Sequence, residues 1–153
     1  MEFQVLLSIY RHWLWADRMR ELFEHYLRCN LPPSVDQFTF DEAFFTTSMV
    51  TCMSLWYGLL FAACDGLEKA SGLSVSEISS EYARVRELLR RFRNAVFHVQ
   101  PDYWSEKLMA VLREEQLATA IRAVHRSVGA WLETQVKQQS EALPEGPREK
   151  GRA

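Results

Sequence analysis

From Ala43 to Cys64 the chain runs about 22 residues without a single charge. That is long enough to span a bilayer as a helix. It also constrains a soluble fold, because such a helix must be covered on most sides. Thr46, Thr47, Ser48, Thr51, Ser54, Trp56, Tyr57 and Gly58 dilute its apolar character. Polar residues in that number favour a helix buried in a bundle or dimer over a membrane span. No membrane association is expected.

The rest of the chain supplies the cover. The sequence has 153 residues and 48% hydrophobic content, enough for one domain with a sizeable core. From Glu2 to Cys29, Leu6, Ile9, Trp13, Ala16, Phe23 and Leu27 recur at helical spacing. Leu31-Pro32-Pro33-Ser34 opens a loop to about Phe40. A second helix is predicted from about Asp41 to Ser71, with Asp41 and Glu42 complementing the dipole of its first turn and Gly72 as its stop. Ser74 and Glu77 have capping-box spacing and open a third helix through Tyr82, Val85, Leu88, Leu89, Phe92 and Val96. Pro101 restricts Gln100, so that helix should end near His98 or Val99. Asp102 can cap a fourth segment carrying Leu108, Val111, Leu117, Ile121, Val124, Val128 and Trp131. No strand pattern competes. The expectation is an all-α fold, an antiparallel four-helix bundle over residues 1–139. Residues 140–153, charged and holding Pro144, Gly146, Pro147 and Gly151, read as a disordered tail.

Net charge is −2, which removes any global basic character for nucleic-acid binding and leaves only local patches. Cys29, Cys52 and Cys64 are odd in number, and two lie in the apolar segment. They read as reduced thiols in a cytoplasmic protein. No Cys or His spacing fits zinc, so neither metal nor cofactor is expected. The N-terminus lacks the basic start of a signal peptide. His12, His25 and His125 belong to no motif and read as surface or packing residues.

The run Arg91-Phe92-Arg93-Asn94-Ala95-Val96-Phe97-His98 pairs an anion-binding cation with a residue able to move protons near neutral pH. At about 100° per residue, with Val85 as origin, the apolar face lies between roughly −60° and +40°. Arg86, Arg90 and Arg93 fall between about 80° and 140°, Asn94 near 180° and His98 near 220°. His98 therefore points away from the core. Arg93 and His98 stand about 140° apart, so they converge only if the last turn loosens or a second protomer completes the site. The plain alternative is an outer face of solvated arginines ion-paired to Glu81 and Glu87, with His98 stabilising a helix C-terminus.

Arg93-Asn94-Ala95-Val96-Phe97-His98 resembles the signature of the HEPN superfamily (higher eukaryotes and prokaryotes nucleotide-binding). That signature is an Arg, four to six residues and then a His, often with Asn directly after the Arg; here the spacer is four residues, Asn94 included. Its position also fits, late in the third helix before a break and a final helix. Together the likeness spans about Glu2 to Val136. It implies a metal-independent endoribonuclease, working as a homodimer on RNA, with Arg93, Asn94 and His98 as catalytic residues. It further implies a prokaryotic toxin or antiphage effector, with an antitoxin protein as a possible partner. A non-catalytic module for nucleotide binding or dimerisation is the other outcome within the family. Asp65 stands where family members often carry a supporting acid, though a surface carboxylate fits equally. Arg90 can extend the phosphate-binding surface. Tyr103 and Trp104 can stack on a base or pack in the core or dimer. Where some HEPN toxins have a tyrosine two residues after the histidine, this chain has Gln100.

Overall fold

Six helices make up the described part of the chain: α1 (Phe3–Asn30), α2 (Ser48–Ser71), α3 (Val75–Ile78), α4 (Glu81–Phe97), α5 (Glu106–Arg113) and α6 (Leu117–Glu141). The computed structural model describes residues 1–30, 47–102 and 105–142, and among them there is no strand. The all-α expectation holds.

Four long helices carry the core, and their contacts fix their directions. Ile9 of α1 faces Gly66 of α2, and Phe23 faces Trp56, so α1 and α2 run antiparallel. Arg86 of α4 meets Glu68, and Phe97 lies on Gly58, so α4 runs antiparallel to α2. Trp13 lies against Gly129 of α6 and Glu24 meets Arg122, so α6 runs antiparallel to α1. The predicted stripe on α1 is buried at Leu6, Ile9, Trp13, Ala16 and Phe23. Helix α2, uncharged from Ser48 to Cys64, is the central one. It is long and apolar enough to cross a membrane, but 61% of its most apolar window is buried inside the chain. Its free thiols Cys52 and Cys64 are part of that buried surface, whereas Cys29 is exposed.

Local signals set several helix ends. Gly72 takes φ 71°, the left-handed turn that a side chain disfavours, and its N–H bonds Glu68 O. Ser74 and Glu77 form the expected capping box. Helix α4 ends at Phe97, and His98 turns extended ahead of Pro101.

Other boundaries differ from expectation. Helix α2 begins at Ser48 with Thr47 as its N-cap, whose hydroxyl accepts from Val50 N–H at 3.3 Å. Asp41 and Glu42 lie outside the described residues. The third segment breaks at Ser79, which is extended at φ −145° and lets Val75 enter the core separately from Tyr82. The fourth breaks between α5 and α6 at Gln116, in the left-handed region at φ 60°. A non-glycine residue there costs about 1–2 kcal/mol. Burial of Val111 on one side and Leu117 on the other offsets that cost. Ser105, rather than Asp102, occupies the N-cap of α5. Helix α6 extends through the start of the expected tail to Glu141, and residues 143–153 lie outside the described residues.

Candidate functional site

The last turn of α4 delivers the Arg-Asn-His run to the surface. Tyr82, Val85, Leu89, Phe92 and Ala95 are buried along one face of this helix, which leaves Arg93 and Asn94 half-buried and His98 exposed. Arg93 Nη1 donates to Asn94 Oδ1 at 3.1 Å. Its guanidinium lies 5.8 Å from the centre of the Phe97 ring, a cation–π contact. No carboxylate among the described residues pairs with Arg93. Asn94 therefore orients the arginine, and only its backbone carbonyl engages His98, accepting from the His98 N–H at 3.2 Å.

His98 stands on the rim of an open groove of about 460 Å³ between α2, the end of α4 and α5. Thr51, Ser54 and Leu55 line one side, Leu108 another, and Phe97 and Val99 flank the histidine. The His98 carbonyl accepts from Gln100 Nε2 at 2.7 Å, which steadies the turn after the helix. Gln100 Oε1 in turn accepts from Lys107 Nζ at 3.4 Å. No side chain among the described residues hydrogen-bonds the imidazole, so both ring nitrogens remain available. Arg93 does not line this groove. No hydrogen bond or ring contact joins the Arg93 and His98 side chains, and His98 has already left the helix.

The supporting residues fall elsewhere. Asp65 accepts from Lys69 Nζ at 2.7 Å on α2. It lies seven residues, about 10 Å, along the helix from Gly58, where Phe97 packs. It does not support Arg93 or His98. Arg90 is tied to Glu87 by bonds of 2.6 and 2.8 Å, an exposed pair worth little to stability. Tyr103 and Trp104 lie outside the described residues.

Of the surface and packing roles expected for His125, the structure shows packing. His125 is 2% exposed and sits at the centre of a polar cluster between α1 and α6. Nδ1 lies 3.1 Å from Trp56 Nε1, and Nε2 lies 3.0 Å from Asp17 Oδ1. An indole N–H can only donate, so Nδ1 must accept and Nε2 must carry the proton. Burial pulls the imidazole pKa below its ordinary value, and the neighbouring Asp17 offsets that only in part. Burial also pushes the Asp17 carboxyl up. Hydrogen bonds from Arg20 and His125, with their charges, outweigh this and leave it below the usual carboxylate value. Arg20 links Asp17 and Glu24, and Arg122 bonds Glu24 at 3.0 Å. A cleft of about 330 Å³ opens beside this cluster. Yet both nitrogens of His125 are committed, so it cannot exchange a proton with a ligand without leaving its partners. It holds helices together. His12 is likewise occupied locally, with Nδ1 2.8 Å from the Ser8 carbonyl.

Two histidines thus differ in kind: among the described residues His125 is locked in the core, whereas the His98 imidazole at the groove has no side-chain partner and nearby Arg93 has no carboxylate partner. No protein-family model, curated protein or solved structure matches the chain. Among the described residues no group of three or more His, Cys, Asp or Glu side chains is placed to hold a metal ion.

Proposed function

We propose that this chain is a metal-independent endoribonuclease of the HEPN type. The carrying observation is the pairing at the end of α4. Arg93 is oriented by Asn94 and Phe97 but bound to no carboxylate among the described residues, and His98 has an unoccupied imidazole five residues on. In this reading α1, α2, α4 and α6 are the four helices of the bundle, with α3 and α5 as additions.

RNA cleavage by this route is transesterification. A base takes the proton of the 2′-hydroxyl, the 2′-oxygen attacks phosphorus, and the 5′-oxygen leaves with a proton from an acid. A cyclic 2′,3′-phosphate and a 5′-hydroxyl remain. Histidine serves either role near neutral pH. Arg93 would neutralise the phosphorane-like transition state through paired N–H donors. Since Arg93 and His98 diverge in one chain, the reading calls for a homodimer in which two copies of α4 face each other. His98 of one copy then acts as base and His98 of the other as acid. A role as a prokaryotic toxin or antiphage effector with a cognate antitoxin, in the cytoplasm, follows from the HEPN likeness.

The test is incubation of the purified protein with RNA in the presence of EDTA. Cleavage leaving cyclic phosphate ends, lost in both Arg93→Ala and His98→Ala, supports the reading. Cleavage that survives in both variants removes it. Sedimentation as a monomer at micromolar concentration removes the two-copy cleft.

A second reading is a HEPN-like module that binds nucleotides or RNA, or dimerises, without turnover. The diversion of Asp65 to Lys69 and of Arg90 to Glu87 favours it, since neither residue is left to serve the site. RNA binding without cleavage, abolished by Arg93→Glu, distinguishes this outcome.

A further inference from the structure

The groove beside His98 has features that the transesterification chemistry does not use. Its walls combine apolar side chains with polar groups: the Thr51 and Ser54 hydroxyls on adjacent turns of α2, and Gln100 and Asp102 after the end of α4. At the His98 end stands Phe97, 48% exposed. An exposed phenyl ring at a helix end is ordinarily free to move, and this one is held. Its edge rests on Gly58, where a Cβ would come within 2.7 Å of Cε2, and the Arg93 guanidinium lies over it. The residue that contacts the ring is therefore the residue assigned to the phosphate.

We infer that this groove is a nucleobase pocket, with Phe97 as its stacking platform and Thr51 and Ser54 reading the polar edge of the base. The occupant is the base adjacent to the scissile phosphate of a single-stranded RNA. This rests on the ribonuclease reading for its orientation, but the pocket is a separate claim. A base has a π face and a hydrogen-bonding edge, and the groove offers an aromatic ring, apolar walls and hydroxyls in the same space. Its volume of about 460 Å³ falls within the roughly 300–1,000 Å³ typical of small-ligand sites. Unpaired bases are the ones that can be splayed onto an aromatic ring and read on their edges. Continuity with His98, and the Arg93 guanidinium against the Phe97 ring, pick out a base over a lipid chain or an apolar peptide. Neither of those needs hydroxyls at the wall or a guanidinium against the ring.

The probes are the four nucleoside 5′-monophosphates, titrated by NMR, and oligonucleotides that differ at one base, followed by cleavage. The expected result is at least about tenfold preference for one monophosphate, with shifted resonances at Leu55, Phe97 and Leu108. The double variant Thr51→Val, Ser54→Ala should shrink that preference below about threefold, because a site that loses its polar contacts loses discrimination. Phe97→Leu should weaken all four by about tenfold, the scale of lost base stacking. Equal binding of all four, shifts confined to the cleft beside His125, or a preference unchanged in the double variant each overturn the pocket. A dimer that buries the groove and excludes nucleotides, dispersed by Leu55→Glu, overturns it as well. The two claims fail separately. Base preference without RNA cleavage sinks the ribonuclease and keeps the pocket. Cleavage that depends on Arg93 and His98 but ignores Thr51 and Ser54 does the reverse.

Discussion

Gly129 lies where α6 presses on the Trp13 indole, and a methyl group has no room there. A Cβ built on Gly129 comes within 2.1 Å of Trp13 Cζ2 and 2.6 Å of Cε2. The indole cannot swing aside at low cost. Its Nε1–H donates to the His125 carbonyl at 3.0 Å, its ring stacks on His125 and Tyr10, and it is 7% exposed. Two effects oppose each other in Gly129→Ala. Alanine gains about 1 kcal/mol of helix propensity. Overpacking costs about 1–3 kcal/mol, occasionally more, and a contact as short as this one belongs at the upper end. The net is a loss of about 2 kcal/mol. At about 2–4 °C per kcal/mol for a domain of this size, Tm should fall by about 4–8 °C. Thermal and urea denaturation followed by tryptophan fluorescence would measure it. Gly66→Ala is the control. Its Cβ meets Ile9 Cγ1 at 3.3 Å, a mild crowding that the gain in propensity should roughly cancel. Trp13→Phe removes the atoms that clash, so its cost and that of Gly129→Ala should not add; we expect a coupling of about 1 kcal/mol or more. A Gly129→Ala protein as stable as the parent, or strict additivity with Trp13→Phe, refutes the reasoning.

Stability should also depend on pH through His125. The folded imidazole binds its proton more weakly than the unfolded one, so the unfolded state takes up the extra proton first as pH falls. The contribution is fully present above the ordinary value of 6.5 and is lost progressively below it. Asp17, lowered from 3.8, adds a loss only in more acidic solution, so the window between is the histidine's. Urea midpoints from pH 7 to 5 should fall in the parent and stay nearly level in His125→Gln; parallel falls in both count against the account. Gly58→Ala should change stability by less than about 1 kcal/mol, because its Cβ meets only the far edge of the exposed Phe97 ring and alanine favours the helix. It should nonetheless lower RNA cleavage by about fivefold or more, since the ring and Arg93 shift together. An unchanged rate would show that the position of Phe97 does not matter.

Much of the fold could be read locally. The apolar stripe of α1, the glycine stop after α2, the Ser74–Glu77 capping box and the helix end before Pro101 all rest on neighbours within a few residues. The breaks at Ser79 and Gln116 carry no glycine or proline. They exist because Val75 and Leu117 enter the core from directions that a continuous helix would not allow, and only tertiary packing imposes that. The site divides the same way. Helical angles alone pointed His98 away from the core, and it is exposed, but as an extended residue past the helix end. The pairing of Arg93 with Asn94 is local, whereas the position of Phe97 over Gly58 depends on a neighbouring helix. Which of its two expected roles His125 takes, surface or packing, was not legible locally, because its hydrogen-bond partners lie 69 and 108 residues away. One signal was present. His125 falls four residues after Ile121 and three before Val128, within the apolar stripe of α6, and a histidine in that position needs partners.

The clasp between Trp13 and His125 joins residues 112 positions apart. During synthesis α1 leaves the ribosome long before α6 exists, so for most of translation the indole lacks its acceptor and α2 lacks part of its cover. The most apolar helix of the chain is then a candidate for chaperone capture or for mistaken recognition by membrane-insertion machinery. Helix α6 decides between those fates, and a chain truncated before α6 should be found with chaperones, in aggregates or at the membrane, rather than as a smaller folded domain.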